Sequence, residues 1–320
     1  MTNPSSSAAA RSAVPSLAPA SAAIAQAAWL LLPDLERGRR IDAGILRAAM
    51  ESAFGASDAA GAWDWKTAYD ACEAATVLFL RKYGNALFRK AAPPVAALPM
   101  LAKIASRLPT HTRRSEESQA LQQFSTPIPL GVAACAAAAI TPADRVLEPS
   151  AGTGLLAILA ELAGASLVLN ELAEARAALL DHLFPSIAVT RFDAAQIDDH
   201  LDAAIAPSVV LMNPPFSAMA NVDRRMADAA LRHVTSALAR LSEGGRLVAI
   251  TGSNFAPDNP AWTDAFACLQ KRGRLVFSAA IDGVVYAKHA RHAALPLSSG
   301  HADPIGGRRP IYDLRHPAHR

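Results

Sequence analysis

Val146-Leu147-Glu148-Pro149-Ser150-Ala151-Gly152-Thr153-Gly154 is the stretch that decides the fold. A short apolar run ends in an acid, turns through small residues, and passes into Leu155-Leu156-Ala157-Ile158-Leu159-Ala160, which has a helical pattern. The order is strand, tight turn, helix. Gly152 and Gly154 have no Cβ, so the chain can reverse there and a ligand can approach the backbone. About sixty residues on, Ser208-Val209-Val210-Leu211-Met212 reads as a second buried strand and delivers Asn213-Pro214-Pro215-Phe216. An amide, two rigid prolines and an aromatic ring thus stand at a strand's carboxyl end, the edge where open α/β sheets take their ligands.

From residue 145 the strand–helix rhythm is regular. Strands are expected at Arg145–Glu148, Ser166–Asn170, Ala188–Arg191, Val209–Met212, Arg246–Thr251 and Arg274–Ala279, with helices between them. That alternation predicts an α/β fold with a Rossmann-like, doubly wound, mainly parallel sheet. Upstream, residues 21–108 read as an all-helical domain. Its helices are expected at Ala23–Leu32, ended near Pro33; at Ile41–Phe54, stopped by Gly55; at Trp63–Tyr83, ended at Gly84; and at Ala102–Leu108. Trp63 and Trp65, at helical spacing, are read as core rather than as a docking face. Residues 1–20 read as a disordered leader, since Ser, Ala and Pro dominate and no apolar signal core is present. Residues 109–121 form a charged connector, and an apolar helix follows over Ile128–Ile140, with Pro127 near its start.

Composition narrows the function. With 52% hydrophobic residues the chain can build an ample core. No uninterrupted apolar stretch reaches the roughly 18–20 residues of a membrane span. Cys72, Cys135 and Cys268 are scattered and odd in number, which indicates neither a disulfide framework nor a zinc site and suits a cytoplasmic protein. The net charge of +3 is uneven: six basic residues and two acids lie between Lys288 and Arg320, leaving residues 1–287 close to neutral. A nucleic-acid surface would therefore be a local patch. Residues 288–320 hold five of the nine histidines without ligand spacing or periodicity, and are expected to be a disordered basic tail.

Three acids fall at successive strand ends: Glu148, then Glu171 23 residues later, then Asp193. An acid after the second strand is suited to gripping ribose hydroxyls. Glu-Pro-Ser-Ala-Gly-Thr-Gly is not Gly-x-Gly-x-x-Gly, however, and the acid before the turn would repel a pyrophosphate. A cationic cofactor with a ribose and no phosphate fits better, and S-adenosyl-L-methionine is such a molecule. At the acceptor side, the Asn213 oxygen and the Pro214 carbonyl can take the two hydrogens of a conjugated amino group. Prolines lock the carbonyl in place, and Phe216 offers a face for stacking a planar ring. Positioning and electrostatics would carry the catalysis. No strong general base is needed, and no histidine is expected beside this edge.

These residues resemble the amino-directed S-adenosylmethionine-dependent methyltransferases, above all those acting on adenine N6 in DNA, over roughly residues 122–287. Phe124-Ser125-Thr126-Pro127 is similar to the family's aromatic-x-Thr-Pro segment, which implies that Phe124, Thr126 and Pro127 sit at the methionine carboxylate. The resemblance implies cofactor contacts from Glu148, Pro149, Ala151, Gly152 and Gly154, ribose binding by Glu171, and adenine contacts from Asp193 and Ala194. It makes Asn213, Pro214, Pro215 and Phe216 the catalytic tetrapeptide, DNA the substrate, and no metal necessary. More narrowly, the chain resembles the methyltransferase region that precedes strawberry-notch-like helicases in bacterial proteins, which implies a helicase partner. Two departures stand out. No helicase and no target-recognition domain are read after Phe216, and beyond Tyr286, where relatives continue with a last strand, a His/Arg/Pro tail is expected. The competing readings are a protein-glutamine N5 methyltransferase and an inactive cofactor-binding scaffold for a helicase.

Overall fold

The computed structural model describes residues 17–91, 93–111, 125–215, 228–252, 255–281, 285 and 309–315. Among the described residues four α-helices come first: α1 (Leu17–Glu36), α2 (Ala43–Phe54), α3 (Trp65–Lys90) and α4 (Leu98–Arg107). Local chemistry sets several of their ends. Asp42 caps α2, its Oδ1 accepting the Gly44 and Ile45 amides at 2.9 Å each, and Gly55 closes it in the left-handed region at φ 73°.

Several expected helix ends are wrong, and two of the expected stop residues lie inside helices. Pro33 lies inside α1, which continues to Glu36 and also begins earlier, at Leu17, within the expected disordered leader. Gly84 does not stop α3 but lies in its interior. A Cβ there would stand 2.4 Å from Leu162 Cδ1, so this glycine lets two helices approach closely. Trp63 is buried, its Nε1 donating to the Ala56 carbonyl, and packs edge-on against half-buried Trp65.

After α5 (Ile128–Ala138) come β1 (Arg145–Glu148), α6 (Ala157–Leu162), β2 (Ser166–Asn170), α7 (Glu174–Leu183), β3 (Val189–Thr190), α8 (Ile197–His200), β4 (Val209–Met212), α9 (Ala229–Arg240), β5 (Arg246–Ile250), α10 (Thr263–Gln270), β6 (Arg274–Ile281) and β7 (Arg309–Arg315). The sheet order is β3-β2-β1-β4-β5-β7-β6, with β1 to β5 parallel and β7 antiparallel to both its neighbours. This is the expected Rossmann-like, doubly wound α/β architecture with an N-terminal helical region. Strands β4 and β5 are buried almost throughout, which explains why they read as continuous apolar runs.

The expected basic tail needs correction. Residues 309–315 form β7, which pairs with five residues of β5 and seven of β6. Ile311, Tyr312 and Leu314 are strand formers, but the surrounding His, Arg and Pro hide so short a run. Residues 288–308 and 316–320 lie outside the described residues.

The helical region is not packed as a separate body. One hydrophobic cluster runs from Leu31, Met50 and Leu80 to Ile158, Leu180 and Phe184, joining α1–α3 to α6 and α7. Polar contacts reinforce the seam: Arg81 on α3 donates to both carboxylate oxygens of Glu161 on α6, at 2.8 and 3.0 Å, and to the Leu183 carbonyl.

Candidate active site

The strand order reverses between β1 and β4, and the carboxyl ends of β1, β2, β3 and β4 converge beside that point. A ligand crevice belongs there. The structure holds a cavity of about 250 Å³, lined by Thr126, Glu148, Pro149, Ala151, Gly152, Glu171, Asp193, Ala194, Asn213 and Pro215 among others.

The turn after β1 is built around its glycines. Gly152 and Gly154 adopt φ of 57° and 85°, a region that costs other residues strain. Their roles differ. Gly152 lines the cavity, whereas Gly154 does not: a Cβ on Gly154 would stand 2.5 Å from the Phe184 ring and 3.1 Å from Leu180. Gly154 therefore admits α7 against the turn. Asn170, fully buried at the end of β2, organises the same region. Its Nδ2 donates to the Pro149 and Phe192 carbonyls, and its Oδ1 accepts from Thr190 Oγ1 and the Phe192 amide, all at 2.8–2.9 Å. All four hydrogen-bonding positions of the amide are thus used, which fixes the ends of β1, β2 and β3 together.

The three carboxylates stand in different states. Glu171 is buried, its Oε2 accepting the Gly152 amide at 2.7 Å and its Oε1 the Ala173 amide at 2.9 Å. Asp193 is exposed, and its Oδ1 accepts the Ala195 amide at 2.9 Å. Glu148 is only 3% exposed, and its Oε2 is sealed with no hydrogen-bond partner among the described residues. Burial first, then the nearby Glu171 carboxylate, push the Glu148 pKa well above the usual carboxylate range, against the pull of the Ala157 amide. A buried acceptor without a donor is costly, and this one borders a cavity.

The two distant motifs meet. Asn213 Nδ2 donates to Thr126 Oγ1 at 3.1 Å across 87 residues of sequence. Pro214 is buried and does not line the cavity. Pro127 is likewise buried; its carbonyl accepts the Leu130 and Gly131 amides and so starts α5. Phe124 and Phe216 lie outside the described residues.

Several lining residues escape the sequence reading. Arg176 on α7 is buried and pairs with Asp70 on α3, Nη2 to Oδ1 at 2.9 Å, while Lys66 also donates to Asp70. Glu73, from the same helix, reaches the cavity with Ser125 and Thr153. Arg232 and His233 of α9 line it as well, which corrects the expectation that no histidine stands beside this edge. Burial pushes the His233 pKa down to about 4, with Asp193 opposing and Arg232 adding to the effect, so the imidazole is neutral at neutral pH. In the sequence His233 sits among Ala229, Ala230, Val234 and Ala237 at helical spacing, an inward-facing position that could have been read.

No family model matches the chain, and no curated protein does. Among solved structures it is similar to a Listeria monocytogenes protein assigned to the class I S-adenosylmethionine-dependent methyltransferases, at 12% identity and a TM-score of 0.48, over 94% of this chain and 88% of that one. It is also similar to a Pyrococcus horikoshii protein assigned as an RNA methyltransferase, at 17% identity and a TM-score of 0.47, over 69% and 96% of the two chains. TrmN from Thermus thermophilus matches at 20% identity and a TM-score of 0.43, over 63% of this chain and 52% of its own, so this chain spans about half its length.

Proposed function

We propose that this chain transfers a methyl group from S-adenosyl-L-methionine to an exocyclic amino nitrogen, with N6 of adenine in DNA as the acceptor. The observation that carries the proposal is the Asn213–Thr126 contact beside the acid-rich end of the cavity. It puts an amide at the end of β4 next to residues suited to a cationic nucleoside.

The lining fits that cofactor. Glu148 is a sealed acid with an oxygen that lacks a donor, which a positively charged group would satisfy. Glu171 already orders the glycine turn and keeps lone pairs that can accept ribose hydroxyls. Asp193 and Ala194 stand at the next strand end, suited to the adenine. A phosphorylated cofactor is disfavoured: among the described residues the one buried guanidinium near the turn, Arg176, is already paired with Asp70. When bound, S-adenosylmethionine supplies an activated methyl group. For the acceptor, Asn213 commits its amide nitrogen to Thr126, so its oxygen edge can take a hydrogen from an amino group. Pro214, buried off the cavity, fixes the backbone beside that amide through its locked φ rather than meeting the acceptor itself. Neutral His233 adds no charge there.

Transfer of a tritiated methyl group, measured in parallel on DNA, RNA and a glutamine-containing peptide, tests the proposal. Label in DNA adenine supports it. Label only in the peptide assigns the same chemistry to a protein substrate, and label in none of the three removes the enzymatic reading and leaves a scaffold. Co-purification with a helicase would test the partner that the resemblance implies.

A further inference from the structure

We infer that Glu73, carried by the helical region, is a positioning residue of the cofactor site, tying the Ser125–Thr126 segment and the glycine turn to α3. The inference rests on the cofactor reading proposed for this cavity. Three stretches far apart in sequence meet at one carboxylate. Ser125 Oγ donates to Glu73 Oε1, and Thr153 Oγ1 donates to Oε2 at 2.5 Å. Ser125 is adjacent to Thr126, the partner of Asn213, and Thr153 lies between the two positive-φ glycines. Both oxygens of Glu73 therefore serve walls of the cavity.

Docking of the helical region does not need this residue. The shared hydrophobic cluster, the Arg81–Glu161 pair and the Asp70–Arg176 pair already join α3 to α6 and α7. A carboxylate 3% exposed carries a desolvation cost that an apolar side chain would avoid. What Glu73 adds is confined to the two loops it holds. His111, whose Nδ1 stands 3.9 Å from Oε1 and carries charge only when protonated, and the Arg176 guanidinium lie near it. The helical region is on this account a structural half of the cofactor site, not a module appended to it.

The test uses the full chain and S-adenosylhomocysteine as the probe, with affinity read by calorimetry and Tm by scanning. Glu73→Gln and Thr153→Val should each weaken binding about tenfold, the equivalent of one charge-assisted hydrogen bond. Tm should change little, because the seam between helices and sheet is untouched. The double variant should be no weaker than the poorer single one, since both remove the same tie. In turnover assays the rise should appear in the cofactor KM, with kcat retained. Unchanged affinity in a folded Glu73→Gln protein overturns the inference, as does strict additivity of the two losses. Should Glu73→Gln not fold, its role is structural and the inference fails, unless Thr153→Val and Ser125→Ala, which approach the tie from the cavity side, fold and lose affinity. Wild-type protein that binds no S-adenosylhomocysteine overturns the cofactor reading itself, a result distinct from either.

Discussion

Asn213 is the residue on which the proposed chemistry turns. Its interaction with an acceptor amino group strengthens as that nitrogen gains positive charge, so its contribution belongs to the transition state. Asn213→Ala should lower kcat by about a hundredfold to a thousandfold, the scale of removing one preorganised polar group. Cofactor affinity should stay near wild type, and turnover at the wild-type rate would end the catalytic reading. Two other residues of the cavity titrate in opposite senses. The folded-state pKa of Glu148 is raised, so folding stability is full below the ordinary carboxylate value of 4.5 and falls as pH climbs through the raised value. That of His233 is lowered from 6.5 to about 4, so stability is full above 6.5 and falls as pH drops toward 4. Glu148→Gln should therefore gain Tm relative to wild type on the alkaline side, while binding cofactor more weakly. His233→Gln should lose less Tm than wild type between pH 6.5 and 4. Unaltered slopes of Tm against pH in either variant would contradict the corresponding assignment.

Among the elements, α3 shows why sequence patterns located structure better than they located its ends. The apolar periodicity over Trp65, Tyr69, Cys72 and Leu78 gave a helix, but Gly84 was read as its stop because glycine usually ends helices. What keeps a glycine in mid-helix is the neighbour, Leu162 of α6, which no local pattern reveals. The strand ends behaved differently. Glu148, Glu171, Asp193 and Asn213 were legible because each follows a short apolar run, and register then brings such ends together. Asn170, Glu73 and Arg176 were not, since each acts through partners on other elements. Gly84→Leu should destabilise the fold by about 2 kcal/mol or more, as overpacking does. Adding Leu162→Ala should recover part of that loss, and denaturant unfolding of the two single variants and the double reads the coupling directly. Strictly additive losses would mean that α3 and α6 do not depend on this contact.

At the scale of the molecule, the sheet gathers its last strand from beyond a segment that composition marks as a tail. Arg309–Arg315 inserts antiparallel between β5 and β6, so among the described residues β6 joins the sheet only through β7. Sequence reasoning failed here because a seven-residue strand carrying Arg309, Pro310, Asp313 and Arg315 offers too few apolar positions to signal itself. The α/β class was readable from the buried central strands, whereas an edge completed by long-range pairing was not. A chain ended after Ala287 would lose both ladders of β7. Among the described strands, β5, whose Leu247 to Ile250 are buried, would keep β4 alone, and β6 would have none beside it. Backbone hydrogen bonds contribute about 0.5–1.5 kcal/mol net apiece, and each 1 kcal/mol moves Tm by roughly 2–4 °C in a domain of this size. The truncated chain should therefore melt several degrees lower and aggregate more readily through its open edges. Hydrogen exchange locates the effect: amides of β5 and β6 should lose protection, while those of β1 and β2 keep theirs. A truncated protein with wild-type Tm and unchanged protection in β5 would show that the sheet closes at β5 without its last strand.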